Sequence, residues 1–165
     1  MNWYPAEQVH RITEISPEHL KELGIKGIIL DIDNTLTTHD NPVPSDGVAR
    51  WLSQMRENDF QMIVLSNNHA PRVEPFAEIL GLDYISEGKK PLVSGYERCS
   101  KKMGLAPKEL CMIGDQILTD IWGGNRFGCY TVLTEPIQLE SMLFFKFKRW
   151  LERMILSHAK NRRRK

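Results

Sequence analysis

Short apolar runs alternate along this chain with longer stretches in which apolar residues recur every three or four positions. Lys26 to Ile32, Gln61 to Leu65, Leu82 to Ile85, Leu110 to Ile113 and Cys129 to Leu133 are short, rich in Ile, Val and Leu, and bounded by Gly, Asn or Asp, which predicts five strands. Between them Val48 to Arg56, Val73 to Leu80, Leu92 to Met103 and Asp120 to Phe127 carry the helical spacing. Ser45 and Asp46 are candidate caps before the first helix, Pro71 suits the opening turn of the second, and Gly81 and Gly104 suit helix ends. Strand and helix alternating in this way predict an α/β, Rossmann-like three-layer sandwich around a mainly parallel five-stranded sheet.

Length and composition fit that plan. The chain has 165 residues, 41% of them hydrophobic, enough for one domain over residues 1–165 with a proper core. Cys99, Cys111 and Cys129 are odd in number and widely spaced, with no Cys-x-x-Cys pair, so neither a disulfide framework nor a zinc site is expected. A reducing cytoplasm suits them. The start, Met1-Asn2-Trp3-Tyr4-Pro5, lacks the basic and apolar blocks of a secretion signal, and no stretch reaches the roughly 18 apolar residues of a spanning helix.

Charge changes the picture more. The whole chain carries only +1, yet from Lys146 to Lys165 nine basic residues face the single acid Glu152, so the chain before them is net acidic. Leu143, Phe147, Trp150, Leu151, Met154 and Ile155 fall at helical spacing within this region, which predicts a basic amphipathic helix and tail over residues 137–165. Two readings stay open for it. It packs on the sheet with a solvated basic edge, or it lies on an anionic membrane surface with Arg162-Arg163-Arg164-Lys165 drawn to the lipid. Nucleic acid is the less favoured acidic partner, because no aromatic platform or binding fold accompanies the charge.

The candidate chemistry sits at strand ends, where open α/β sheets place their sites. Asp31 and Asp33 end the first predicted strand, Ser66-Asn67-Asn68 the second, Lys89-Lys90-Pro91 follow the third, and Gly114-Asp115 end the fourth. Taken alone, an Asp-x-Asp reads as a helix cap beside a solvated acid. Four polar clusters at four consecutive strand ends converge on one crevice, and paired acids after a buried Ile-Ile-Leu run need a cation, a proton or a reaction.

A carboxylate nucleophile, a second carboxyl two residues on for proton transfer and a further acid for a divalent cation are the parts of phosphoryl transfer through an aspartyl-phosphate. Here they are Asp31, Asp33 and Asp115. Acids, a backbone carbonyl and waters form a hard oxygen site that favours Mg²⁺ over Zn²⁺. Ser66 and Lys90 would hold the phosphoryl oxygens and offset the repulsion between two anions.

Asp31-Ile32-Asp33-Asn34-Thr35, Ser66 after Met62-Ile63-Val64-Leu65, Lys90-Pro91, and Gly114-Asp115-Gln116-Ile117-Leu118-Thr119-Asp120 together resemble the four ordered motifs of the haloacid dehalogenase superfamily, over roughly Lys26 to Leu133. The resemblance implies Asp31 as nucleophile and Asp33 as general acid and then base. It implies Ser66 and Lys90 as phosphate ligands, the Asn67 backbone N–H as a further one, and Asp31, Asp33 and Asp115 as the magnesium site. Thr35 and Asp120 would be supporting residues, Asp120 through a metal-bound water or by orienting Lys90. Lys90 is preferred to Lys89 for its place before Pro91, and His69 is left as a solvent-facing or capping residue.

Spacing also says what is missing. About thirty residues separate Thr35 from Ser66 and about two dozen separate Ser66 from Lys90, each gap filled by one helix and one strand, so no cap domain fits and Leu36 to Asp46 can form only a small flap. A capless chain with these motifs is similar to the bacterial YqeG family and to mitochondrial and plastid phosphatidylglycerophosphate phosphatases. That resemblance implies a phosphate monoester substrate, a lipid headgroup among the candidates, and a peripheral place on the inner membrane face. The alternatives are a soluble sugar-phosphate or phosphoprotein phosphatase whose homo-oligomer supplies a lid, and a non-catalytic scaffold binding RNA or another acidic partner.

Overall fold

A computed structural model describes residues 3–38 and 41–138 of the chain. The basic helix and tail expected over 137–165 lie, from residue 139 onward, outside the described residues. Six parallel strands form one sheet in the order β1-β6-β5-β2-β3-β4: β1 is Glu7–Val9, β2 Gly27–Leu30, β3 Gln61–Leu65, β4 Asp83–Ile85, β5 Leu110–Gly114 and β6 Tyr130–Thr134. Among the described residues the α-helices are α1 (Pro17–Glu22), α2 (Val48–Glu57), α3 (Ala70–Leu80), α4 (Val93–Met103) and α5 (Trp122–Phe127).

The expected five strands are all present, and β1 is the sixth. Its three residues, Glu-Gln-Val, carry too little apolar signal to be read as a strand; backbone pairing of Glu7 to Val132 and Val9 to Thr134 holds them at the sheet edge. Helix α1 also went unpredicted, although Ser16 caps it by accepting from the His19 N–H at 3.2 Å and Pro17 opens it. The expected caps Ser45 and Asp46 do not cap α2: its N-cap is Gly47 at φ 80°, and no side chain bonds there. The helix is held instead by its buried Val48, Trp51, Leu52 and Met55, with the Trp51 indole N–H donating to the Ile15 carbonyl at 2.8 Å. Pro71 does sit in the first turn of α3, which begins at Ala70 rather than Val73, and Gly81 and Gly104 end α3 and α4 in the left-handed region as predicted.

The sheet is covered on both faces. Ile28, Leu30, Val64 and Ile113 pack with Trp51, Leu52, Met55 and Phe76 on one side, while Ile29, Ile63, Leu65 and Met112 pack with Tyr96 and Cys99 on the other. Period-two alternation between two buried faces is why each strand reads as a continuous apolar run rather than an alternating one. All three cysteines are buried and free. From β2 the chain runs outward to β3 and β4, then returns to place β5 on the other side of β2. The order therefore reverses at β2 and β5, and a crevice opens at their carboxyl ends. The stretch from Thr35 to β3 contains a loop and α2, and that from Ser66 to Lys90 contains α3 and β4; among the described residues no cap domain is inserted in either. No helix of the described residues is long and apolar enough to cross a membrane.

Candidate active site

Asp31 immediately follows β2, where its N–H donates to the Ile113 carbonyl of β5 at 3.0 Å. Asp115 immediately follows β5 and is buried beside it in the same crevice. Lys90 arrives from the loop after β4. Its ammonium donates to Asp31 Oδ1 at 2.5 Å and to Asp120 Oδ1 at 2.6 Å, and all three side chains are almost wholly enclosed, at 3%, 10% and 1% exposure.

Asp120 reaches this lysine because the backbone after Asp115 is wound wider than an α-helix. Ile117–Ile121 form a π turn in which the Asp120 and Ile121 N–H groups both donate to the Gln116 carbonyl, and the Gln116 N–H returns a bond to Asp120 Oδ2 at 3.1 Å. Gly114 makes room: a Cβ there would collide with the Asp120 carboxylate. From the other side the Tyr96 hydroxyl lies 3.0 Å from the Thr119 carbonyl and 3.1 Å from that of Asp120, tying α4 to the turn.

The charges in this pocket set one another. Burial pushes the Asp31 carboxyl up to about 7 from 3.8; Lys90 pulls it back, while Asp120 and Asp33 add to the rise. Burial alone would lower the Lys90 ammonium, but Asp120 and Asp31 outweigh it and hold its pKa above the ordinary lysine range. One oxygen from each of Asp31, Asp115 and Asp120 lies within 4.8 Å of the others, a buried cluster of three hard carboxylate donors whose chemistry fits Mg²⁺. The Asp33 side chain is directed elsewhere. Its Oδ2 accepts from Asn68 Nδ2 at 2.7 Å and its Oδ1 from Arg72 at 2.9 Å. Of the two aspartates, Asp120 rather than Asp33 brings its carboxylate to Asp31 and Asp115.

The other expected residues divide. Ser66 is buried at the end of β3, its hydroxyl accepting from the Asn68 N–H at 3.1 Å. The Asn67 carboxamide grips the Lys90 backbone at both ends, Oδ1 accepting from the Lys90 N–H at 2.6 Å and Nδ2 donating to the Lys90 carbonyl at 3.0 Å. Lys90 precedes a cis peptide to Pro91 and is buried, whereas Lys89 is exposed with φ 54°, so the two adjacent lysines are separated by geometry. His69 is a mostly exposed partner of Glu87 at 3.2 Å. Thr35 stays in the turn after β2, its N–H donating to the Ile32 carbonyl. The residue borders a separate cleft of about 500 Å³ with Arg11, Asn41, Ser45 and Ile137, while its hydroxyl is fully buried. Asn68 was named only as part of the polar cluster after β3, and Arg72 escaped prediction. Their only signal in sequence is position, just downstream of Ser66.

The profile of the family described as "Hydrolase: haloacid dehalogenase-like hydrolase" matches residues 38–128, more than half of the chain. The chain belongs to the haloacid dehalogenase-like hydrolases. Over 158 residues it is 39% identical to "Probable phosphatase YqeG" of Bacillus subtilis (strain 168), covering 96% of this chain and 92% of that one. It is 27% identical over 168 residues to "Phosphatidylglycerophosphate phosphatase 1, chloroplastic/mitochondrial" of Arabidopsis thaliana, covering 90% of this chain but only 48% of the longer plant protein. Among solved structures, the cobalt-bound deoxy-D-mannose-octulosonate 8-phosphate phosphatase of Haemophilus influenzae superposes with a TM-score of 0.53 at 20% identity. That superposition covers 78% of this chain and 77% of that one, and shows the shared fold. This haloacid dehalogenase hydrolase is a phosphatase. The profile match begins after Asp33, so the placement of Asp31 against Lys90, Asp115 and Asp120 is an independent geometric observation.

Proposed function

We propose that the enzyme hydrolyses a phosphomonoester through an aspartyl-phosphate on Asp31, with Mg²⁺, and that its substrate is phosphatidylglycerophosphate at an anionic membrane surface. The observation that carries the chemistry is the convergence of Asp31, Lys90, Asp115 and Asp120 in one buried cluster. An Asp31 oxygen attacks phosphorus while Asp33 gives its proton to the departing alkoxide; Asp33 then takes a proton from the water that cleaves the acyl phosphate. Lys90 and the Ser66 hydroxyl hold the phosphoryl oxygens, and Lys90, already shared between Asp31 and Asp120, offsets the repulsion between nucleophile and phosphate. The carboxylates of Asp31, Asp115 and Asp120 would hold Mg²⁺, which would supply further positive charge to offset the negative charge of the transferring phosphoryl group.

Three features support the lipid. The Arabidopsis relative is a phosphatidylglycerophosphate phosphatase by name, no cap domain encloses the site among the described residues, and the chain ends in a basic segment suited to anionic headgroups. A cytoplasmic, peripherally bound enzyme follows from the same reading. Phosphate release is measured from vesicles carrying phosphatidylglycerophosphate and from soluble sugar phosphates under the same conditions. Preference for the vesicles supports the lipid substrate, and preference for the soluble esters removes it. Deleting residues 160–165 is expected to weaken vesicle binding, with the difference vanishing at high salt; binding indifferent to salt counts against the surface role.

A further inference from the structure

The carboxylate of Asp33 is held from both sides, by Arg72 on Oδ1 at 2.9 Å and by Asn68 on Oδ2 at 2.7 Å. Arg72 stands in the first turn of α3, its guanidinium 5.8 Å from the Phe76 ring centroid and its Nη2 3.5 Å from the Asn41 carbonyl in the loop before α2. It thus spans from the acid to the loop before α2. The two side chains are 24% and 14% exposed, against 3% for Lys90, so this pair lies on the solvent side of the buried cluster. That is the side from which the alcohol portion of a substrate must project, since its phosphoryl group faces Asp31 and Lys90.

A carboxyl with one oxygen on an arginine and the other on an amide has neither turned to a leaving group. To hand over a proton it must release one partner. Arg72 is three-quarters buried, so giving up its charge-assisted bond to Asp33 is costly unless another bond of the same kind replaces it. The exchange becomes favourable when the substrate itself brings a second anion. The planar guanidinium fork suits a phosphodiester or carboxylate better than a lone hydroxyl.

We propose that Arg72 is a specificity and positioning residue that takes a second anionic group on the substrate and thereby frees Asp33 toward the leaving oxygen. Resting on the reading above, that group is the phosphodiester of the lipid headgroup, a glycerol unit away from the scissile ester. A phosphomonoester without it leaves the Arg72–Asp33 pair closed and reacts more slowly.

The test compares kcat/KM for two soluble esters, glycerol 1-phosphate and the deacylated headgroup, in which the glycerol phosphate also carries a glycerophosphodiester. The wild-type enzyme is expected to favour the diester-bearing ester by about tenfold or more, the worth of one charge-assisted contact. That ratio should collapse toward unity in Arg72→Met and remain intermediate in Arg72→Lys, which keeps the charge without the fork. A purely structural role would slow both esters equally and leave the ratio unchanged. Should Arg72→Met fail to fold, Arg72→Lys carries the same ratio measurement. A wild-type enzyme indifferent to the diester, or a folded variant that keeps the wild-type ratio, overturns the proposal. The lipid reading fails on a different result, the absence of preferred phosphate release from vesicles.

Discussion

Lys90 Nζ lies 2.5 Å from Asp31 Oδ1, and neither side chain has more than a tenth of its surface in water. With Asp120 at 2.6 Å on the same ammonium, this lysine is the counter-charge inside a cluster of acids. Lys90→Met should therefore cost far more than a lost surface ion pair, about 3–5 kcal/mol, because it strands buried carboxylates. The loss should be smaller at pH 5 than at pH 8, since protonation relieves the stranded acids, and smaller again with millimolar Mg²⁺. Urea denaturation at the two pH values, with and without the metal, checks it. An equal loss in all conditions would mean that Lys90 acts mainly by packing.

The raised Asp31 carboxyl sets a pH dependence with a definite sign. Folded, it titrates at about 7; unfolded, near 3.8. Between those values the folded state holds a proton that the unfolded state has released, so in metal-free protein stability falls as pH rises through that window, by up to about 1.4 kcal/mol per unit, and levels off above it. Metal binding requires the ionised form, so Mg²⁺ affinity should climb with pH until about 7 and proton release should accompany binding below it. Calorimetric titration in buffers of different ionisation enthalpy measures that proton directly. Asp31→Asn should abolish both the release and turnover while leaving the metal-free protein as stable or more so at pH 8.

Asn67 was expected to act only through its backbone, yet its carboxamide bonds both the N–H and the carbonyl of Lys90. An asparagine matches that donor and acceptor pair and an aspartate does not. Asn67→Asp keeps the bond from the Lys90 N–H but sets a carboxylate oxygen against the Lys90 carbonyl. We expect it to lower kcat at least as much as Asn67→Ala, by about tenfold, at a stability cost of about 1–2 kcal/mol. If aspartate is tolerated as well as asparagine, the bridge is not what positions Lys90.

How much of this was legible in sequence follows from where each group's constraints lie. Asp31, Ser66, Lys90 and Asp115 were readable because each directly follows, or lies in the loop after, an apolar strand, and a parallel sheet gathers such positions at one edge. The resemblance also offered Asp120 as a residue that orients Lys90, but the direction of the Asp33 carboxylate was not legible. The π turn that brings Asp120 to Lys90, and the Arg72 and Asn68 contacts that draw the Asp33 carboxylate away, depend on residues from separate elements. Strand β1 lacked apolar content because partner strand β6 fixes it through backbone bonds. Ser16-Pro17 did carry a helix-start signal, and α1 could have been found from it.

Gly114 offers the sharpest test of how the cluster is built. It ends β5 directly before Asp115, and the space a Cβ would fill is taken by the Asp120 carboxylate, which is itself fixed by the Gln116 N–H and Lys90. Gly114→Ala cannot be absorbed by moving a flexible surface chain, because Asp120 is wholly enclosed and its turn is pinned from behind by the Tyr96 hydroxyl. The carboxylate must swing off Lys90 or the π turn must shift. Either movement opens the three-carboxylate cluster, so Mg²⁺ affinity should fall by about ten- to a hundredfold, the usual consequence of disturbing the groups that position metal ligands. Melting temperature measured without metal should drop by about 2–12 °C, corresponding to about 1–3 kcal/mol of overpacking. Tyr96→Phe, which loosens the turn without crowding it, should restore part of the affinity when combined with Gly114→Ala. A double variant no better than the single one would mean that the turn does not yield in that direction.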